Sequence, residues 1–352
     1  MTMKEVQGPA GYPWEKPLNG RLDKLVVESE ILAGNPLNDP TRRPLYVYAS
    51  PGVVAGRASD VASIYIIQGF SGQLDAWLNR PAFDPTNIER FDGLWGGPES
   101  DCPDAVLVFV DAWTSVGGSQ FINSAGTGNY MDYICDEIIP FVDAHYPTAT
   151  SAGRRGIAGK SSGGYGAMVL PMLRPDVFGA LASHAGDALF EACYLPDFGK
   201  AARSLRDNFG GSIDSFWSEF KDREALDWSR HGDLINMLGM AAAYSPDPDR
   251  RGKLLLPFDT STGRLDEDVW ALWLQHDPVR MAPLHAPALR GLRRIYLDAG
   301  RSDEYFLDLG AQAFSAELDK LEVPHTLELF AGRHGGISQR YPTAIRELLL
   351  AI

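Results

Sequence analysis

The chain has 352 residues, 45% of them hydrophobic and 22% charged, and a formal net charge of −14. These are the proportions of a globular protein with ample core, in one large domain or two ordinary ones. Such acidity repels phosphate backbones and anionic lipid, which argues against nucleic-acid and membrane-surface partners. The three cysteines, Cys102, Cys135 and Cys193, are odd in number and too scattered for a disulfide framework or a zinc pattern. They read as reduced thiols, and the protein as cytoplasmic. Residues 1–20 contain Pro9, Pro13 and Pro17 and no apolar leader core, although a leader removed beforehand would leave secretion open. No apolar run reaches the length of a membrane span.

Along the chain, residues 25–32 and 45–48 read as two strands joined through a turn-rich stretch at 34–44. Residues 63–67 and 105–110 are continuous apolar runs of the kind found in strands buried on both faces. Between 129 and 146 apolar residues recur at helical spacing and stop before Pro147. A strand at 155–158, a helix at 163–173 and a strand at 179–184 follow. The alternation then breaks and resumes with strands at 294–298 and 326–330, each followed by a helix, at 307–321 and 342–352. Strands alternating with helices imply an α/β fold, with a mainly parallel sheet covered on both faces. Working residues are then expected at the carboxyl ends of the strands.

The interruption, residues 188–288, is rich in aromatics and predicts a mostly helical cap inserted over that edge of the sheet. Residues 1–187 and 289–352 would form the body it covers. Trp217 and Trp273 are the cap aromatics singled out as candidates to face a substrate; the alternative is that they build the insertion's own core.

Gly159-Lys160-Ser161-Ser162-Gly163 is a Gly-x-Ser-x-Gly. Placed between a strand and a helix, this pattern turns the chain sharply and pushes the Ser161 hydroxyl outward as a nucleophile. A serine hydroxyl needs an imidazole to take its proton and a carboxylate to orient that imidazole. Of seven histidines, only His184 and His334 end or directly follow a core strand at the carboxyl side. His334 lies on the glycine-rich loop 332–336, after the last strand, and is the predicted base. Asp303 and Asp187 both satisfy the chain order serine, acid, histidine expected of this layout. Asp298, at a strand end, is expected to hold the loop. Two donors must also face the oxyanion of the tetrahedral intermediate. The N–H of Ser162 is one, and the N–H of Phe70, in the loop after strand 63–67, is the choice for the other. Gln120 and Asn123, in the small-residue loop 117–128, are candidate pocket residues.

These residues resemble the esterase branch of the α/β-hydrolases, which includes S-formylglutathione hydrolases, feruloyl esterases and mycolyltransferases. The similarity runs through residues 64–72, 106–111, 119–130, 156–167, 175–187 and 297–335. The doubled glycine of Gly159-Lys-Ser-Ser-Gly-Gly-Tyr-Gly resembles that family's elbow. Gly300-Arg-Ser-Asp303 matches its acid segment, and His334 its glycine-flanked histidine, so the resemblance implies Asp303 as the acid. Two departures stand out: Gln68-Gly69 where the family usually has His-Gly, and Lys160 before the nucleophile, where a cation alters local electrostatics or pairs with an acid.

The expected activity is hydrolysis of a small-to-medium carboxylic ester through an acyl-serine intermediate. An acyltransferase with an alcohol or sugar acceptor would use the same triad. A non-catalytic binding protein of this fold would have no use for all three groups. A phosphate-binding loop at Gly159-Lys-Ser fails, because its first glycine would fall at Arg154. No metal-ligand spacing occurs, and the chemistry calls for no cofactor.

Overall fold

The computed structural model describes residues 16–97 and 100–352, so the proline-spaced start of the chain lies outside the described residues up to position 15. The central sheet contains eight strands: β1 (Arg21–Glu28), β2 (Arg42–Ala49), β3 (Ala62–Ile67), β4 (Ala105–Val110), β5 (Arg155–Lys160), β6 (Ala180–His184), β7 (Arg294–Gly300) and β8 (Thr326–Phe330). Their order is β1-β2-β4-β3-β5-β6-β7-β8. From β4 to β8 every pairing is parallel, whereas β1 and β2 form an antiparallel edge. The runs Ala-Ser-Ile-Tyr-Ile-Ile in β3 and Ala-Val-Leu-Val-Phe-Val in β4 are buried at every position. Strands covered on both faces require that composition, and it made them visible in the sequence. Two apolar layers do the covering. On one face Trp77, Phe91, Tyr341 and Leu348 pack against Ile64, Leu107 and Phe109; on the other Tyr133, Tyr165 and Phe178 pack against Tyr65, Val108 and Ile157.

Two predicted elements differ in their bounds for local reasons. Strand β1 stops at Glu28 because the Glu137 carboxylate captures the next backbone donors, with Glu30 N at 2.7 Å and Ile31 N at 2.8 Å. The helix predicted between 129 and 146 starts at Tyr130–Asp132, widens into a π-helical stretch at Tyr133–Ile138, and resumes as α1 (Ile139–His145). The widening ends against Pro140, which has no N–H to return to residue 136.

Strand β5 leads through Ser161 into α2 (Ser162–Leu173). The stretch 188–288 contains α3 (Phe198–Phe209), α4 (Ile213–Asp222), α5 (Trp228–Tyr244), α6 (Glu267–Leu274) and α7 (Pro278–Leu284). Its aromatics Tyr194, Phe198, Tyr244, Trp270 and Trp273 belong to the same apolar cluster as the sheet face beneath. The chain closes with α8 (Leu307–Lys320) and α9 (Tyr341–Ala351).

His276, between α6 and α7, stacks on Tyr244 with ring centroids 5.0 Å apart. Burial pushes its imidazole down to about 4. The unfolded chain takes up this proton near pH 6.5 and the folded chain only near 4, so folding stability falls as the pH drops through that window. His276→Gln is expected to remove up to about 3 kcal/mol of that acid sensitivity. Urea unfolding at pH 7 and pH 4.5 measures it; equal pH dependence in both proteins would refute the assignment.

Candidate active site

Ser161 occupies the turn between β5 and α2 with φ 58° and ψ −126°, a backbone region that residues other than glycine avoid. Close approach enforces this turn. A Cβ added at Gly159 would lie 2.4 Å from the Gly163 carbonyl carbon, and one at Gly163 would lie 2.5 Å from the Ile67 oxygen. Strand β5, helix α2 and the end of β3 therefore touch backbone to backbone. The Ser161 N–H donates to the His184 carbonyl at 2.9 Å, which fixes the turn to strand β6.

The loop after β7 and the loop after β8 meet at His334. Its Nδ1 lies 2.8 Å from Asp303 Oδ2, and its own N–H donates to Glu304 Oε2 at 2.8 Å. The Asp303 side chain is fully buried, and its second oxygen accepts from Tyr305 N at 2.9 Å. With Nδ1 engaged by Asp303, Nε2 is the imidazole nitrogen without a hydrogen-bond partner among the described residues. Among the described residues no hydrogen bond joins the Ser161 hydroxyl to His334; in substrate-free enzymes such contacts are commonly long and tighten on binding. The two loops nevertheless share one electrostatic environment with the elbow. Lys160 lies in the field of Asp303, Asp187 and Glu304, and Asp187 in that of His334.

The rival groups are placed elsewhere. His184 is fully buried, and its Nδ1 is taken by Asp298 Oδ1 at 2.7 Å. Asp298 in turn binds Arg340 Nε at 2.6 Å, so its carboxylate reaches the turn at Ser338–Arg340 rather than the 299–303 loop it was expected to hold. Burial raises the Asp298 carboxyl, but His184 and Arg340 outweigh burial and hold it below the usual range. Asp187 is buried and accepts from Tyr194 at 2.8 Å, Ser162 Oγ at 3.1 Å and Gln120 Nε2 at 3.4 Å. Burial pushes its carboxyl up. Lys160 pairs with none of these acids among the described residues, and burial pushes its ammonium down.

Against Ser161 runs the loop after β3, where a Cβ on Gly69 would lie 3.3 Å from the Ser161 Cβ. The next N–H, that of Phe70, and the N–H of Ser162, first in α2, are hydrogen-bonded to no other described residue. The Phe70 ring fills the space left by two glycines. A Cβ at Gly239 of α5 would lie 2.5 Å from that ring, and one at Gly117 would lie 2.2 Å from it. Gln68, at the position of the family's usual histidine, turns its amide to the Gln73 carbonyl.

The pocket candidates separate. Gln120 is buried beside the site, donating to Asp187 and to Tyr244 OH at 3.0 Å. Asn123 is exposed, and its Oδ1 accepts from Asp132 N at 3.2 Å. Trp217 packs on Phe216 and Phe220 within the insertion. Trp273 is wholly buried, donating to Ser245 Oγ at 2.8 Å and lying edge-on to Tyr194. Three contributors were not foreseen. Glu304 and Tyr305 adjoin Asp303 and were signalled only by that adjacency. Gly239 stands in the small-residue run Gly-Met-Ala-Ala-Ala, which marks a close helix approach without naming its partner.

A parallel sheet with a strained serine at its central turn, and an imidazole–carboxylate pair on the neighbouring loops, is the arrangement of the α/β-hydrolases. The family model described as "Putative esterase" matches residues 104–334, well over half of the chain. The chain belongs to this esterase family and is a serine ester hydrolase. Solved structures agree in fold. A ferulic acid esterase is similar at 15% identity and TM-score 0.58, over 95% of this chain and 97% of that one. A fluorophosphonate-binding serine hydrolase of Staphylococcus aureus is similar at 17% and 0.57, over 94% and 98%. An S-formylglutathione hydrolase of the same organism is similar at 15% and 0.53, over 94% and 98%. A comparison with curated proteins gives no match.

Two substitutions probe this geometry. Gly239→Ala displaces the Phe70 ring and is expected to lower kcat by about tenfold to a hundredfold with the fold intact. Steady-state kinetics with circular dichroism checks it, and an unchanged kcat would remove Phe70 from the site. Trp273→Ala is expected to cost about 3–5 kcal/mol of stability, measured by denaturant unfolding. A change confined to KM would make Trp273 a substrate contact instead.

Proposed function

We propose that Ser161, His334 and Asp303 form the catalytic triad of this esterase, with the N–H groups of Phe70 and Ser162 as its oxyanion hole. The observation that carries the reading is the 2.8 Å contact between His334 Nδ1 and the buried Asp303 carboxylate, on loops flanking the strained serine. Asp303 fixes the tautomer, so that Nε2 takes the proton of Ser161 as the hydroxyl attacks the ester carbonyl. The carbonyl oxygen becomes an anion and is received by the two free N–H groups. His334 then passes its proton to the leaving alcohol and the acyl-serine remains. Water, deprotonated by the same imidazole, releases the acid and restores Ser161.

Residues 188–288 serve as the cap, because α5 contributes the glycine against which Phe70 rests. The three cysteines are buried and unpaired, which supports a cytoplasmic location. No helix among the described residues is long and apolar enough to cross a membrane.

Ser161→Ala is expected to cut ester turnover by about three to six powers of ten, and Asp303→Asn by about four. A fluorophosphonate probe should label the wild type at Ser161 and leave Ser161→Ala unlabelled. Retention of most activity on a short-chain chromogenic ester by Ser161→Ala would overturn the assignment.

A further inference from the structure

The segment directly after the proposed acid exposes apolar surface for which the fold has no use. Tyr305 and Phe306 are each 48% exposed and Leu309 is 44% exposed, three large apolar side chains within five residues. Clustered exposure of this kind marks a binding surface more often than a packing defect. Phe306 also holds φ 59°, a left-handed conformation that costs a bulky residue of order 1–3 kcal/mol. The strain is retained at the start of α8, where Phe306 N still donates to the Asp303 carbonyl at 3.2 Å. Leu309 stands three residues further on, in the first turn of α8.

Tyr305 ties this surface to the chemistry. Its ring meets the His334 imidazole edge to face, with centroids 4.9 Å apart and planes at 77°. Its phenol is pushed up, by burial first and then by Glu304, Asp303, Asp197 and Asp187.

Resting on the triad reading above, we infer that Tyr305, with Phe306 and Leu309, forms the wall of a leaving-group subsite that selects esters of apolar alcohols. The assignment to the alcohol side follows from proton transfer. His334 Nε2 must hand its proton to the leaving oxygen, so that oxygen lies within hydrogen-bond reach of the imidazole. Whatever is bonded to it lies close to that ring, and Tyr305 is the aromatic side chain packed edge to face on it. The acyl carbonyl is directed the other way, toward Phe70 and Ser162. An apolar alcohol moiety covers the exposed ring edge and the Phe306 and Leu309 side chains, gaining the burial they lack.

The test compares acetates of ethanol, butanol, hexanol and benzyl alcohol with ethyl esters of lengthening acyl chains. In the wild type kcat/KM should rise about tenfold or more from ethyl to hexyl or benzyl acetate. Tyr305→Ala should flatten the alcohol series by about three- to tenfold and leave the acyl series parallel to wild type, while Tyr305→Phe keeps the wild-type preference. Leu309→Ser, a surface substitution on α8, should flatten the alcohol series to a smaller degree even if Tyr305→Ala fails to fold. A uniform loss across all alcohols would show that Tyr305 only positions His334 and would overturn the subsite, as would flattening confined to the acyl series or a wild type indifferent to the alcohol. Fluorophosphonate labelling of Ser161 in each variant keeps the two readings apart: an unlabelled wild type defeats the triad, and labelled variants with unchanged selectivity defeat the subsite alone.

Discussion

The backbone crossing at the end of β5 is the constraint on which the site depends. Three segments, the end of β3, the turn at Ser161 and the first turn of α2, meet at distances that leave no room for a side chain at Gly159 or Gly163. That contact does two things together. It holds Ser161 in a conformation costing of order 1–3 kcal/mol, which the surrounding ladder of β3, β5 and β6 sustains. It also brings the loop after β3, at Gly69, against the nucleophile. A proposed oxyanion hole built from backbone donors is therefore a by-product of the same close packing that exposes the hydroxyl.

Two imidazole–carboxylate pairs lie near this crossing, and their surroundings give them different uses. His184 and Asp298 sit opposite each other in register on β6 and β7, both without solvent exposure, with Tyr341 against the imidazole at 4.4 Å. A pair sealed in this way can brace strands but cannot exchange protons with a substrate. Its role is mechanical, from Ser161 through the His184 carbonyl on one side to Arg340 on the other. His334 and Asp303 lie one loop further out. There the carboxylate is buried while the imidazole keeps 14% of its side-chain surface open, which suits a group that must meet a ligand. Asp187 fills a third position, gathering Ser162, Gln120 and Tyr194 behind the elbow. Burial raises the proton affinity of this carboxyl, and those hydrogen bonds oppose the rise.

The stretch 188–288 is joined to the sheet by a continuous apolar cluster. Asp277, ahead of α7, accepts from the N–H groups of Leu189 and Phe190 at 3.0 Å and so ties the far end of the stretch to its beginning. Gly239 of α5 gives the Phe70 ring its seat. Through these contacts the stretch bears on the geometry beside Ser161.

By itself the sequence determined the α/β class, the buried strands and the elbow, because fully apolar runs and a Gly-x-Ser-x-Gly turn are local patterns imposed by backbone sterics. His334 could be singled out for a related reason, since the carboxyl ends of parallel strands are where loops can converge, whereas chain order left both Asp303 and Asp187 open and the resemblance favoured Asp303. Only the tertiary structure decided which carboxylate meets His334, that His184 is consumed by Asp298, and that Trp273 is buried while Asn123 is exposed. It alone revealed Tyr305 against the imidazole and Gly239 against Phe70. Contacts between segments tens of residues apart depend on register and side-chain direction across the whole sheet, and neither quantity is encoded in any short window of the chain.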